Sequence, residues 1–391
     1  AELSDLRQYD VGTYDKSSDT LFVSDLKLSG LYENAYPNAA APSTVTVMGA
    51  EPTVLPSAQA DLAAFKVGDK VTLLLTTTGQ VAGAVSPDVA KSNAVGVATV
   101  DGTKATIELL DGILTLEGQT TYSGAAAAKL NGCLVTVSSY KRDYLTLSKV
   151  NGKGASTALN LTTNRMGTKE LSAGARFFEQ VSNGRLVEID RSDITITSIP
   201  ANKITYVGYD WAGRVDKLVL NDVTGDRYDY GIIHYQPAGY QETPGNPNGN
   251  GEYKNGEISV TNGSFPKGMT PYVVGSVDGA KTNRMGGVAG SLDQLDGQNR
   301  MAAFMPLNEA KGIRRAQFDT DAMLLTTNSM VIPISDAVEC YNKTTGAWYE
   351  LGKDGDHKAA LNLALAFSDD ITVYYDRSPE EGGKVRIVVV E

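Results

Sequence analysis

Two short acidic segments contain the side chains whose types and spacing are closest to those of a metal site. One holds Asp293, Asp296 and Asn299, and the other holds Asp354 and Asp356. Calcium prefers carboxylate and amide oxygens of this kind, but neither segment has the alternating ligands and the terminal glutamate of an EF-hand loop. Because Asp-Gly pairs are also common turn residues, the sequence predicts no required cofactor, with calcium at these residues as the alternative.

A stretch rich in proline, glycine and asparagine, 237–256, is the second feature with a chemical role. It has no apolar periodicity, which predicts a surface loop that is available for contacts. Tyr228, Tyr230, Tyr235 and Tyr240 lie in it or just before it. Tyrosine is enriched at protein contact surfaces, so we expect these four side chains to be exposed and to form a binding surface.

Histidine and cysteine are scarce: the chain has His234 and His357, and Cys133 and Cys340. They are too few and too far apart for a zinc site built on nitrogen and sulfur ligands. His234 alternates with isoleucine and tyrosine, which predicts a structural role on a strand, whereas the polar neighbours of His357 predict a solvated loop. We expect both cysteines to be buried and free, and not to form a disulfide.

Recognised catalytic motifs are missing from the sequence. It contains no H-E-x-x-H, C-x-x-C, Walker or G-x-S-x-G motif. Paired carboxylates for glycoside hydrolysis remain an alternative, because 46 acidic residues always supply candidates. Trp211 and Trp348, however, lie at matched positions beside hairpin turns, which favours packing over an aromatic platform for a sugar. The sequence therefore predicts a chain that is not an enzyme.

The charge balance and the lack of a long apolar run exclude two classes of partner. With a net charge of −11 and no basic cluster longer than Lys141-Arg142 or Arg314-Arg315, the chain would be repelled by a phosphate backbone. No apolar run approaches the ~18 residues needed to span a bilayer. We therefore expect neither nucleic-acid binding nor membrane insertion.

Alternation of apolar and polar residues between Gly, Asp and Asn turns predicts an all-β chain built from hairpins. Strand–turn–strand patterns occupy 67–85, 134–147 and 177–189. A recurring design, in which a strand ends in Tyr-Asp or Tyr-Asn before a glycine turn, occupies 203–220, 336–349 and 370–389. Aspartate, asparagine and glycine are turn residues for local reasons, so this reuse suggests duplicated modules and not an active site.

The predicted organisation is a multi-domain chain of small β-barrel or β-sandwich modules. Helices are few and short, and they are predicted at 58–65, 125–130 and 358–366. The predicted domains are a β module over 1–97, a small barrel-like module over 98–152, and a β region over 153–391 that carries the 237–256 insertion and the recurring hairpins.

Four segments resemble a known family of bacterial surface proteins. They are 9–15, 65–85, 210–226 and 374–386. Together they are similar to the extracellular β-rich region of S-layer-homology-domain proteins from gut Clostridia and their relatives. The motifs are structural hairpins without a signature reaction, and nothing in 1–391 resembles the helical S-layer homology repeats themselves.

The resemblance implies a secreted, non-catalytic segment that projects from a Gram-positive cell wall or tiles it. Its partner is then a wall polymer, contacted through anchoring domains absent from this sequence, and self-association into a layer is expected. The alternative is an adhesin, in which the same modules bind a host glycan or protein.

Overall fold

The computed structural model describes the chain with several gaps. The described residues are 3–120, 126, 129–150, 154–182, 184–236, 239–242, 251–254, 256–262, 272–274, 283–290, 300–350 and 355–391. Strands account for 51% of the structure and helices for 10%, so the predicted all-β class with small barrel modules is confirmed.

The strands are numbered β1–β33 in chain order. They are Val11–Asp15, Thr20–Ser24, Lys27–Leu31, Asn34–Tyr36, Thr44–Thr46, Lys70–Leu75, Val81–Val85, Val95–Asp101, Lys104–Leu109, Thr115–Thr120, Leu134–Ser138, Tyr144–Lys149, Leu159–Asn160, Arg165–Met166, Lys169–Gln180, Val187–Ile189, Ser198–Ile199, Ile204–Tyr209, Val215–Asn221, Asp229–Gln236, Gly239–Glu242, Gly251–Lys254, Gly256–Thr261, Tyr272–Val274, Arg284–Gly290, Met301–Pro306, Asn308–Ile313, Phe318–Asp319, Leu324–Thr326, Val331–Asn342, Ala347–Trp348, Ile371–Tyr375 and Val385–Val390.

Two α-helices have both ends within the described residues: α1 is Pro56–Leu62 and α2 is His357–Ala366. Proline at the start of α1 suits a position whose N–H has no partner within the helix. Helix α2 buries the face that carries Leu361 and Leu365, as expected of an amphipathic helix. Two of the three predicted helices are therefore present, and half of the third, at 125–130, lies outside the described residues.

The chain divides into two compact units, which differ from the predicted domains. Unit 1 comprises 1–178, 185–189 and 200–220, and unit 2 comprises 179–184, 190–199 and 221–391. The predicted boundary after residue 97 falls inside β8, a strand that pairs without interruption with β9 and β11. The end of the 67–85 hairpin marks no domain boundary, because the residues on both sides of residue 97 belong to one hydrophobic core.

Unit 1 contains a closed five-stranded barrel with the strand order β10-β12-β11-β8-β9. A parallel pairing of β10 with β12 closes it, and the other pairings are antiparallel. Its interior holds Ile107, Leu116, Val135 and Leu147. Closure leaves no unpaired strand edge in this sheet, which removes a common site of aggregation.

The core of the barrel continues into the residues that precede it. Strands β3, β6 and β7 form an antiparallel sheet, as predicted for the 67–85 hairpin. Leu28 and Leu73 from this sheet, and Leu62 from α1, belong to the same buried cluster as the barrel interior. The barrel therefore does not have a separate core of its own.

A second sheet of unit 1 places β13, β14, β15, β19 and β18 in this order. Strands β18 and β19 form the predicted 203–220 hairpin. Phe178 and Val219 from this sheet bury their side chains with Leu110 and Leu134, which flank the barrel strands. This packing holds the β18–β19 hairpin in a fixed position within unit 1.

Unit 2 is built from two larger sheets. One has the order β24-β23-β20-β25-β26, and the other has β27-β32-β33-β30-β29-β28 with β31 attached to β30. The recurring hairpins 336–349 and 370–389 are both present. They lie in the same sheet, where β30 and β33 pair in parallel, so they belong to one structural unit and do not fold as separate modules.

The 237–256 segment contains strands where a loop was expected. Gly239–Glu242 pairs in antiparallel fashion with Gly251–Lys254. A two-stranded ladder is formed by main-chain N–H and C=O groups, so it does not need the apolar periodicity on which the loop prediction rested.

The continuous core of unit 1 predicts a large difference between two leucine truncations. Leu147 in the barrel is 1% exposed and Leu21 on β2 is 43% exposed. We expect Leu147→Ala to lower the free energy of unfolding by about 2–5 kcal/mol, because it leaves a cavity. Leu21→Ala, the matched control, should change it by less than about 1 kcal/mol. Urea denaturation measures both, and similar losses in the two variants would contradict the assigned core.

Candidate functional site

The residues predicted to bind calcium fall into two groups. Asp356 is the N-cap of α2, and its Oδ1 accepts a hydrogen bond of 2.9 Å from the backbone N–H of Ala359. This contact explains Asp356 as a helix cap. Asp293, Asp296, Asn299 and Asp354 lie outside the described residues. Within the described ranges, no group of three or more His, Cys, Asp or Glu is arranged to hold a metal ion.

Two of the four tyrosines predicted as a binding surface are buried. Tyr228 and Tyr230 belong to a core cluster of unit 2, with their ring centroids 5.9 Å apart. The expectation of exposure is wrong for these two because alternate residues of a strand share one face, and this face is turned inward. Tyr235 is half-buried against another cluster, and the side chain of Tyr240 lies outside the described residues.

The histidines and cysteines are structural where they are described. His357 begins α2, and its Nδ1 lies 3.0 Å from the carbonyl oxygen of Val338, so the predicted solvated loop is wrong. His234 is exposed on β20, with Nε2 3.0 Å from Oγ1 of Thr261. Both cysteines are buried and free, as predicted.

Unit 2 contains a buried arginine that donates four hydrogen bonds and uses all three of its guanidinium nitrogens. Arg386 is 2% exposed. Its Nε donates to Asp376 Oδ2 at 2.8 Å, and its Nη1 donates to Asp226 Oδ1 at 2.5 Å and to Ser335 Oγ at 3.1 Å. Its Nη2 donates to the carbonyl oxygen of Thr224 at 2.5 Å and also lies 2.7 Å from Asp376 Oδ2.

Neighbouring groups extend this network, which we call the Arg386 network after its central residue. Lys384 Nζ lies 2.8 Å from Asp226 Oδ2, and the Arg386 guanidinium lies 5.0 Å from the centre of the Tyr230 ring. Burial on its own raises the pKa of Asp226, but attraction to Arg386 and Lys384 outweighs it and lowers this pKa below its usual value. The network therefore holds Asp226 as a carboxylate.

A buried glutamate fixes the segment that supplies the Thr224 carbonyl. Glu179 Oε1 accepts hydrogen bonds from the backbone N–H groups of Val223 at 2.5 Å and Thr224 at 2.7 Å. Its Oε2 accepts from the Thr224 hydroxyl. Arg377 contacts Asp222 and donates from Nη1 to the Val223 carbonyl oxygen at 2.8 Å. The charges in this part of unit 2 are thus engaged in holding the backbone.

A small polar cavity of about 200 Å³ lies beside the Arg386 network. Tyr230, Asn262, Glu339, His357 and Arg386 are among its lining residues. Asn262 Oδ1 is buried and has no hydrogen-bond partner in the part of the chain that the structure describes. The size and the polar walls suit a small polar molecule.

A larger cleft of about 290 Å³ lies within unit 1. We call it the Trp211 cleft. The residues of interest in its wall are Asp25, Asp111, Tyr206, Tyr209, Trp211 and the adjacent pair Asp216 and Lys217.

A β-bulge turns neighbouring residues toward this cleft. Gly208 of β18 lies opposite Lys217 of β19, but the next residue, Tyr209, lies opposite Val215. Asp216 is therefore the extra residue of a bulge, and the usual alternation of side chains is broken there. As a result Asp216 and Lys217, although adjacent in sequence, both line the Trp211 cleft.

The turn between β18 and β19 holds Trp211 at the rim. Asp210 Oδ1 accepts hydrogen bonds from the backbone N–H groups of Ala212 at 3.0 Å and Arg214 at 2.9 Å. Gly213 has a φ of +74°, which favours glycine at this position. Arg214 Nη2 also lies 2.7 Å from Asp210 Oδ2. The hydrogen bonds and the ion pair limit the freedom of the turn.

The cleft is also lined by a half-buried cluster of opposite charges. Lys217 Nζ lies 2.7 Å from Asp111 Oδ1 and also contacts Asp216. Burial opposes the charge on Lys217, but the two aspartates raise its pKa above the usual value. Burial also raises the pKa of Asp216 and of Asp25, which nearby lysines offset only in part. Asp216 Oδ1 has no hydrogen-bond partner among the described residues.

Comparison with known proteins finds no relative: no family model, curated protein or solved structure matches the chain. Within the described ranges, no helix has both the length and the apolar character needed to cross a membrane.

Sequence reasoning missed most of the Trp211 cleft. It interpreted Trp211 as a packing residue, but this side chain lines the cleft. Trp348 does pack, with its ring centroid 5.0 Å from that of Tyr341. One signal was available: the adjacent charged residues Asp216 and Lys217 interrupt the alternation of an apolar strand, which is a feature of a bulge.

The Arg386 network predicts unequal effects for two Asp→Asn substitutions in unit 2. Asp376 is buried against Arg386, whereas the Asp369 side chain is 72% exposed beside Arg314. Asp376→Asn should lower the free energy of unfolding by about 3–5 kcal/mol, because it leaves a buried charge without its partner. Asp369→Asn should cost less than about 1 kcal/mol. Urea denaturation distinguishes them, and equal costs would contradict a structural role for the network.

The lowered pKa of Asp226 predicts that the free energy of unfolding depends on pH. Its folded-state pKa is lowered, so its contribution is fully present above the unfolded-state pKa and is lost as the pH falls through the folded-state value. We therefore expect the stability difference between the wild type and Asp226→Asn to be constant near neutral pH and to shrink below about pH 4. Urea denaturation at a series of pH values measures it. A difference that grows on acidification would contradict this sign.

Proposed function

We propose that the chain is a non-catalytic structural segment of a bacterial cell-surface protein of the S-layer type, which projects from the wall or tiles it. The observation that carries this proposal is the Arg386 network. Arg386 binds groups from three distant parts of the chain, at Asp226, Ser335 and Asp376. Buried charges that pair with one another in this way stabilise a single conformation, which suits a structural module.

The closed barrel of unit 1 supports the same role. Its five strands have no free edge in that sheet, and an exposed edge is where another chain can add or a strand can be pulled away. A segment outside the cell meets proteases and mechanical load, so a closed sheet and a continuous core are favourable there. The hairpin resemblance to S-layer-type proteins points in the same direction.

In this proposal the partners lie outside the segment. Domains flanking it would bind the wall polymer, and copies of the segment would contact one another in a layer. The adhesin alternative first rested on four exposed tyrosines, and two of these are buried. It therefore depends on another surface, for which the Trp211 cleft is the candidate.

The location of the native protein tests the proposal. An antibody raised against this chain should label intact cells, and a wall-extraction step should release a species heavier than 41.5 kDa, because anchoring domains would be attached to it. An antibody against a cytoplasmic enzyme serves as the control for cell integrity. A species found in the cytoplasm would refute the proposal, and one of this mass free in the medium would refute wall anchoring.

A further inference from the structure

The Trp211 cleft offers aromatic surface that lies outside the core clusters. Tyr209 is 47% exposed on β18, and Trp211 is half-buried in the adjoining turn. Tyr206 is also half-buried in the same wall, but it packs against the core cluster that contains Phe178 and Val219. Aromatic rings that are partly open to solvent can pack against the apolar C–H face of a ligand ring while their edges stay in water.

Asp216, which lines the cleft, has an acceptor atom that the protein does not satisfy within the described ranges. Asp216 Oδ1 is buried without a hydrogen-bond partner there, while Oδ2 of the same carboxylate contacts Lys217. A buried acceptor without a donor is costly. A rotation of the Asp216 side chain that exposes Oδ1 to the cleft would let a ligand hydroxyl donate to this atom and remove the cost. The bulge at Asp216 explains why this carboxylate faces the cleft.

The charges around the cleft favour a neutral ligand. Each of the four carboxylates in the wall has a cation nearby: Lys217 lies beside Asp111 and Asp216, Arg214 lies beside Asp210, and Lys27 is the main attraction on Asp25. An anion would be repelled by these carboxylates, and the exposed Lys169 ammonium, 5.8 Å from the centre of the Tyr209 ring, offsets them only in part. A cation would compete with Lys217, whose charge both aspartates stabilise. A neutral molecule with several hydroxyl donors meets neither difficulty.

The volume limits the size of the ligand. The cleft encloses about 290 Å³, which is close to the lower limit of ligand pockets, roughly 300–1,000 Å³. A single six-membered sugar ring suits this space, with the remainder of a longer glycan extending into solvent. Such a ring has both apolar faces and peripheral hydroxyl donors. These are the two features that would complement the cleft.

We propose that unit 1 binds one neutral pyranose ring of a glycan in the Trp211 cleft, stacked on Tyr209 and Trp211 and hydrogen-bonded to Asp216. This binding function goes beyond the structural role proposed above and does not depend on where the protein is located. It would allow a structural segment at the cell surface to hold a glycan as well.

Binding is tested with the full chain and a panel of methyl pyranosides. The neutral probes are methyl glycosides of glucose, galactose, mannose and N-acetylglucosamine, and the charged probes are glucosamine and glucuronic acid. Saturation-transfer NMR detects weak binding, and titration calorimetry gives the dissociation constants. We expect at least one neutral pyranoside to bind more tightly than both charged probes.

Three variants test whether any binding that is observed occurs in the cleft. Tyr209→Ala and Trp211→Ala should each weaken binding by about tenfold, because they remove a stacking surface. Asp216→Asn should weaken it as well, because a carboxylate acceptor is lost. Tyr140→Ala is the matched control: Tyr140 is 57% exposed in unit 1 and does not line the cleft. Its affinity should equal that of the wild type, and circular dichroism verifies the fold of each variant.

Other outcomes would overturn the inference in distinguishable ways. No binding of any neutral pyranoside, or equal binding by the wild type and all three cleft variants, refutes the site. Preferential binding of glucosamine or glucuronic acid refutes the neutral ligand. Release of nitrophenol from nitrophenyl pyranosides that Asp216→Asn abolishes would place a ligand in the cleft, but it would refute the non-catalytic function and not the binding inference.

Discussion

Arg386 is a guanidinium group that the fold removes almost entirely from water, and this is tolerated only where acceptors surround it. Asp226, Ser335 and Asp376 come from separate parts of unit 2 to meet this need. The main-chain segment at Thr224, held by Glu179, completes the set. The path of the chain through this part of unit 2 therefore depends on satisfying one buried charge.

In unit 1, the charged groups that are removed from water are paired less completely. Lys217 is half-buried between Asp111 and Asp216, so its own charge is compensated. The bulge that brings Asp216 to this position leaves Oδ1 buried without a partner among the described residues. Unit 2 also has an acceptor of this kind, Asn262 Oδ1, beside the Arg386 network. Partly exposed aromatic rings beside the charged residues distinguish the Trp211 cleft as the candidate binding site.

These two arrangements are compatible with a single biological role. The proposed surface segment would have to remain folded outside the cell, and the closed barrel and the Arg386 network would both favour this. The proposed site for one sugar ring would add contact with a glycan at little structural cost, because Trp211 lies in a hairpin turn and Tyr209 on the adjoining strand. A structural segment and a binding module are therefore not exclusive descriptions of this chain.

Much of the local structure followed from the sequence, because hairpins depend on alternation and turn residues that lie close together in the chain. The hairpins at 67–85 and 203–220, helix α2 and the free cysteines were all predictable in this way. Only tertiary structure decided that Tyr228 and Tyr230 are buried, because alternation separates two faces of a strand without saying which one meets the core. It also decided the Trp211 cleft, since Asp25, Asp111 and Asp216 are distant in sequence and a bulge breaks the local pattern where they meet.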